Sequence, residues 1–364
     1  MTTDRLLPRA LPHEVGVDPR GVHDLLDGLA RRHITMHSLM LVRHGKVVAE
    51  GTWAPHRPEH APLVYSLSKT FCSAAVGLAV ADGAFSYDDR LVDLFADVVD
   101  AAGPVASRIR VRDCLAMATG HTRDDVFNPR TSRLAGRQPW RVALATEPEG
   151  VPGTTFCYNQ FATWTLAEVV RHATGRTVHE LLVDRVFTPL GITGTAWDTD
   201  PAGRVLGFSG LHVRPEGIAR FFKLLLDDGV AAGERLLPVE WVTRHRQRHV
   251  ETDVDLGAVA EPRTGPRDCP TPLGAPAQHL GPGELAQRHH DPGTHRGDFR
   301  DQPRVHTGGD LDSRRFVVRW GAVADGGDPH IDQAQVRVLV VGRSRQPRPV
   351  QRPVQPVART VAGE

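Results

Sequence analysis

Lysine is nearly missing from this chain: Lys46, Lys69 and Lys223 are the only three, against 44 basic side chains in all. Arginine carries the positive charge, so a lysine in a chemically useful place stands out. Tyrosine is equally sparse, at Tyr65, Tyr87 and Tyr158. The four cysteines, Cys72, Cys114, Cys157 and Cys269, lie far apart with no C-x-x-C pair, which indicates neither a zinc knuckle nor a disulfide framework. Formal net charge is +1 with both signs interspersed, which offers nothing to nucleic acid or to an anionic membrane surface. No apolar run approaches the roughly 18 residues of a membrane span, and MTTDRLLPRALPHEV lacks the apolar segment of a signal peptide. The expectation is a soluble cytoplasmic protein. The 19 histidines form no H-E-x-x-H or spaced ligand set, so no metal and no cofactor are expected. A G-x-S-x-G elbow is also missing, which argues against an α/β-hydrolase.

What is present centres on Val64 to Gly83, VYSLSKTFCSAAVGLAVADG. Leu67, Phe71, Ala74, Ala75, Leu78 and Ala79 recur at helical spacing, and Gly83 suits a left-handed C-terminal cap. Small apolar residues on more than one face predict a central helix with close neighbours. Ser66 and Lys69 stand three apart at its start and so share a face. A serine hydroxyl becomes a good nucleophile when a neighbour takes its proton. A lysine can take it once burial or nearby positive charge brings its pKa from about 10.4 toward about 7–8. A helix N-terminus favours that shift, and its free N–H groups can hold an oxyanion.

At 364 residues with 40% apolar content, the chain can form one large domain or two ordinary ones. Asp18-Pro19 reads as an N-cap and first helical turn, with Val22, Leu25, Leu26 and Leu29 along one face. Ser38 to Arg43, a turn at His44-Gly45-Lys46, and Val47 to Trp53 read as a hairpin. Helices are expected at Ile109 to His121, after Gln160 up to Gly175, before Pro189, at Gly217 to Asp228 and from Pro238. A hairpin followed by many helices predicts an α/β (α+β) framework with a mostly helical insert at about 85–200.

The order of these pieces resembles the serine β-lactamase and penicillin-binding-protein superfamily, in its class C-like esterase branch. The matching stretches are LMLVRHGKVVAEG, SLSK, IRVRDCLAMATGH, PGTTFCYN, VFTPLGI, and GIARFFKLLLDDG with GERLLPVEWV. The resemblance implies a β-lactamase/transpeptidase-like fold, an antiparallel sheet flanked by helices. It implies Ser66 as the acylated nucleophile, Lys69 as its partner, and Tyr158 as the phenol that shares proton transfer with the lysine. A phenol with a pKa near 10 becomes useful beside a cation that stabilises phenolate. The third residue of the tyrosine motif is Asn or Ser in the family and Gln160 here, with Asn159 between. Gln160 is the substrate-orienting candidate. His121 reads as structural, since the lysine and phenol leave it no task.

The family's third motif, Lys-Thr-Gly or His-x-Gly on an edge strand, corresponds to His306-Thr307-Gly308, with His306 and Gly308 as substrate-binding candidates. That stretch lies in atypical surroundings. From residue 251 onward there are 13 prolines, no lysine and three aromatics, Phe299, Phe316 and Trp320. The division expected is 1-250 as the hydrolase domain and 251-364 as an irregular Arg, Pro, Gly and His-rich segment, within which Val336 to Val341 reads as a strand. Such a composition is what a GC-rich gene read in a shifted frame would give. The function implied is a serine hydrolase forming an acyl-enzyme with a small-molecule ester or amide. The alternative is an inactivated relative with a defective C-terminus.

Overall fold

The computed structural model describes residues 7–96, 102–122, 141 and 144–250, and the backbone of 336–341. Helix α1 (Pro19–Arg31) starts where the sequence places it: Asp18 accepts from the Arg20 N–H, and Pro19 follows as the first helical residue. Leu29 faces inward, packing with Met36 and Leu39. Strands β1 (Ser38–Arg43) and β2 (Lys46–Thr52) pair antiparallel, with Val42 opposite Val47 and Arg43 opposite Lys46. Their two-residue turn has positive φ at both His44 (50°) and Gly45 (75°), the conformation whose twist matches a tight hairpin.

A short 3₁₀ turn, Tyr65–Leu67, runs directly into helix α2 (Ser68–Ala81). Eleven of its fourteen residues are buried, from Ser68 to Ala79 with the exception of Ser73. This is the central helix the small apolar residues predicted. Phe71, fully buried, meets the rings of Phe187 and Phe221 at 5.8 and 4.2 Å. Gly83, at φ 78°, turns the chain away at its end, as expected of a left-handed cap.

Helices α3 (Leu91–Leu94) and α4 (Val111–Leu115) follow. The expected helix through Ile109 to His121 is shorter than its pattern, and the reason is local. Met117 has φ 52°, and the carbonyls of Met117 and Ala118 accept from the N–H groups of Cys157 and Gly153 at 2.8 and 2.7 Å. The Gly120 carbonyl accepts from Gly150 at 2.9 Å. Acceptors that would have extended α4 instead hold the segment leading to Tyr158.

Helix α5 (Gln160–Thr174) ends on left-handed Gly175 and packs against α2. Helix α6 (Val178–Leu182), closed by a π-turn at Val183–Phe187, packs against the same helix. Strands β3 (Ala196–Trp197) and β4 (Leu211–His212) pair antiparallel, helix α7 (Pro215–Leu226) lies on β1, and β5 (Val230–Ala231) and β6 (Glu234–Arg235) form a small hairpin. Helix α8 (Val239–His245) brings Trp241 against α2.

Strand β7 (Val336–Val341) completes a sheet of order β2-β1-β7. It lies parallel to β1, with Ser38 opposite Val336 and Arg43 opposite Val341. This edge departs from the expected antiparallel arrangement. A parallel neighbour requires a crossover rather than a hairpin. The α/β architecture of sheet, hairpins and packed helices otherwise matches the expectation. Cys72 and Cys114 are buried free thiols.

Candidate active site

The 3₁₀ turn before α2 is held at both ends. Val64 N–H donates to the Leu211 carbonyl at 2.9 Å. Ser68 Oγ donates to the Tyr65 carbonyl at 2.5 Å and accepts from Leu211 N–H at 3.1 Å. Tyr65 itself sits at φ 46°, a left-handed conformation that costs a non-glycine residue on the order of 1–3 kcal/mol. β4 and Ser68 thus clamp a strained turn, and Ser66 lies in its middle.

Lys69, one residue into α2, is only 6% exposed. Its Nζ lies 3.0 Å from Ser66 Oγ and donates to the Phe208 carbonyl at 2.9 Å. The Tyr158 ring centroid is 4.8 Å from the same nitrogen and that of Phe208 5.8 Å. Trp164 packs edge-on against Phe208 at 5.4 Å. The amine is thus held between the serine oxygen and a backbone carbonyl.

Tyr158 arrives through the backbone contacts of Gly153 and Cys157 with the turn after α4. Asn159, fully buried, fixes it from the other side: its Oδ1 accepts from Ala162 N–H at 2.9 Å as the α5 N-cap, and its Nδ2 donates to the Cys157 carbonyl at 2.9 Å. The middle residue of the tyrosine motif is therefore committed to capping. Gln160 is the first residue of α5, half-buried beside it.

Sequence reasoning thus finds three residues that the fold brings together, Ser66, Lys69 and Tyr158. Gln160 stands two residues beyond Tyr158. His306 and Gly308 lie outside the described residues. Ser68 and Phe208 were missed. Ser68 is visible in SLSK, but its partner Leu211 is 143 residues away, and Phe208 contributes a backbone carbonyl that no side-chain pattern announces. His121 is buried, with Nδ1 3.0 Å from Thr119 Oγ1 and Nε2 3.0 Å from the Thr146 carbonyl, its ring edge-on to Phe161. In the neutral ring Nε2 donates to that carbonyl and Nδ1 accepts from Thr119, which is a structural use. Cys72, one turn beyond Lys69, is no rival nucleophile. Burial pushes its thiol up to about 12, with the Lys69 charge pulling the other way, so thiolate is scarce at neutral pH. Among the described residues no group of His, Cys, Asp or Glu is placed to hold a metal ion, and no helix is long and apolar enough to cross a membrane.

Sheet, central helix and a serine with its lysine partner at that helix's start define a β-lactamase/transpeptidase-like fold. A family model described as Beta-lactamase matches residues 23–263, well over half of the chain. The chain belongs to that family. Among curated proteins it is 26% identical over 223 residues to a 6-aminohexanoate-dimer hydrolase of Paenarthrobacter ureafaciens, covering 56% of this chain and 55% of that one. The chain thus spans about half the length of this relative. Among solved structures, a Bacillus anthracis protein provisionally described as a 6-aminohexanoate-dimer hydrolase aligns with a TM-score of 0.53 at 18% identity, covering 70% of this chain and 69% of its own. An octameric penicillin-binding protein homologue from Pyrococcus abyssi aligns at 0.50 and 15% identity, covering 65% and 62%. The homologues that carry descriptions of activity are hydrolases.

Proposed function

We propose that this chain is a serine hydrolase that cleaves a small-molecule ester or amide through an acyl-enzyme. The observation that carries the reading is the 3.0 Å approach of Lys69 Nζ to Ser66 Oγ in a buried setting. Ser66 Oγ attacks the substrate carbonyl carbon, forming the Oγ–C bond while the carbonyl electron pair moves onto oxygen. The hydroxyl proton passes to the neutral Lys69 amine, and Tyr158 completes the route to the leaving group. Collapse of the tetrahedral species expels the protonated alcohol or amine, and water releases the acyl group in a second cycle. The Ser66 N–H, in the 3₁₀ turn that runs into α2, supports the oxyanion, and Gln160, His306 and Gly308 are the residues proposed to orient the substrate. The similarity to a 6-aminohexanoate-dimer hydrolase favours an amide over a β-lactam as the first substrate to try.

Intact-mass spectrometry after exposure to a fluorophosphonate tests the reading. One adduct on the wild-type chain, mapped to Ser66 and absent in Ser66→Ala, is the expected result, accompanied by turnover of p-nitrophenyl esters or linear amides. A folded wild-type chain that takes no adduct removes the enzyme reading in favour of an inactivated relative.

A further inference from the structure

A cavity lies against the segment that leads to Tyr158. It measures about 510 Å³ and is lined by Arg90, Arg108, Arg110, Arg112, Asp113 and the Pro152–Thr154 turn, with Ala116 and His249 at its margins. Ser66, Lys69 and Tyr158 do not line it, so it is separate from the serine site. Four arginines and one aspartate are among its lining residues. Its size falls within the range of metabolite pockets, roughly 300–1,000 Å³.

The wiring of those arginines shows which of them a ligand could engage. Arg90 holds Asp93 through two hydrogen bonds of 2.8 Å. Arg112 pairs with Asp88, and Arg110 donates to the Asp88 carbonyl. Asp113 is buried and accepts from the Arg110 N–H at 2.9 Å. Arg108 is different: it is exposed and makes no side-chain hydrogen bond or ion pair among the described residues. The α3–α4 region has thus gathered four like charges on one concavity while supplying acidic partners to only some of them. Like charges gathered on one concavity repel, and an anion in the cavity would relieve that repulsion.

We propose that this cavity binds a small molecule bearing two or more anionic oxygens, as phosphate or carboxylate groups, with Arg108 as its first anchor. A planar guanidinium offers paired N–H donors that fit either group in bidentate fashion, and several converging forks suit a polyanion better than a monoanion. The site shares a wall with the tyrosine segment, since the Pro152–Thr154 turn that lines it is tied by the Gly153 N–H to the Ala118 carbonyl, three residues past α4.

Titration calorimetry of the full chain with sodium pyrophosphate and with citrate, at fixed ionic strength set by chloride, tests this without reference to turnover. One saturable site is expected for at least one of the two, and the stronger of them names the ligand group. Arg108→Gln should weaken that binding about tenfold or more, the loss of one charge-assisted anchor, and Arg108→Lys by less, because charge is kept while the fork is lost. Arg108 supports no other described side chain, so the thermal melt of the free variants should match wild type. Absence of saturable heat from both anions up to about 10 mM would overturn the proposal, and so would equal affinity in wild type and Arg108→Gln.

Discussion

Gly77 is the point at which α2 comes closest to α8, and replacing it by alanine probes that packing directly. A Cβ at Gly77 would stand 2.4 Å from both Cδ1 and Cγ of Trp241 and 2.7 Å from its Cβ, where carbon atoms prefer about 3.5–4.0 Å. Trp241 must therefore retreat by about an ångström. It has little room, being 2% exposed, and its Nε1–H donates to Ser73 Oγ at 3.1 Å. Overpacking of this kind costs about 1–3 kcal/mol, and loss of the indole hydrogen bond adds about 1 kcal/mol. Alanine's better helix propensity returns about 1 kcal/mol. The net effect is a loss of about 1–3 kcal/mol, or a fall in Tm of roughly 1–4 °C for a chain of this size. Gly28, within α1, supplies the control, because a Cβ there would meet only Arg31 Nη2 at 3.9 Å. Gly28→Ala should be neutral or stabilise by up to about 1 kcal/mol. Thermal melts of both variants decide the matter. A rise in Tm for Gly77→Ala comparable to that of Gly28→Ala would refute the packing described between α2 and Trp241.

Three further outcomes follow from the site and its surroundings. Asn159→Ala should cost about 1–2 kcal/mol in urea denaturation through loss of the α5 cap, with Asn159→Asp intermediate because it keeps the acceptor for Ala162 but not the donor to Cys157. Tyr158→Phe should lower kcat by about 10²–10⁴ while leaving the fold intact, as read from ester turnover beside a circular dichroism melt. His179 gives a pH dependence: burial holds its imidazole below the ordinary histidine value, with Glu180 opposing. The unfolded chain then takes up the proton first, so stability is full above about pH 6.5 and falls as pH drops from there toward the lower native value. Denaturation midpoints between pH 5 and 8 should show that slope in wild type and a shallower one in His179→Gln.

Much of the architecture could be read from the residues because local signals agreed with tertiary ones. Asp18-Pro19 marked the start of α1, His44-Gly45 the hairpin turn, and the small apolar run of α2 its central place. Ser66 and Lys69 were legible because helical spacing alone puts them on one face. Tyr158 needed the order of motifs as well as its own scarcity. What stayed hidden depends on contacts across long sequence distances. α4 is short because the Met117 and Ala118 carbonyls serve a segment some forty residues on. The clamp of Ser68 on Leu211, the Phe208 carbonyl on Lys69 and the arginine cavity all join parts of the chain that no local window contains. The parallel placement of β7 beside β1 is likewise a matter of crossover, which strand propensity does not encode.

The central claim is that a buried amine beside Ser66 makes its hydroxyl a nucleophile. The rate constant for acylation of Ser66, followed by intact mass with an activated p-nitrophenyl ester, tests it most directly when wild type is set against Lys69→Met, an uncharged side chain of similar reach. The account predicts that acylation slows by about 10²–10⁴ in the variant while Ser66 remains the labelled residue. Equal rates in the two proteins would contradict it.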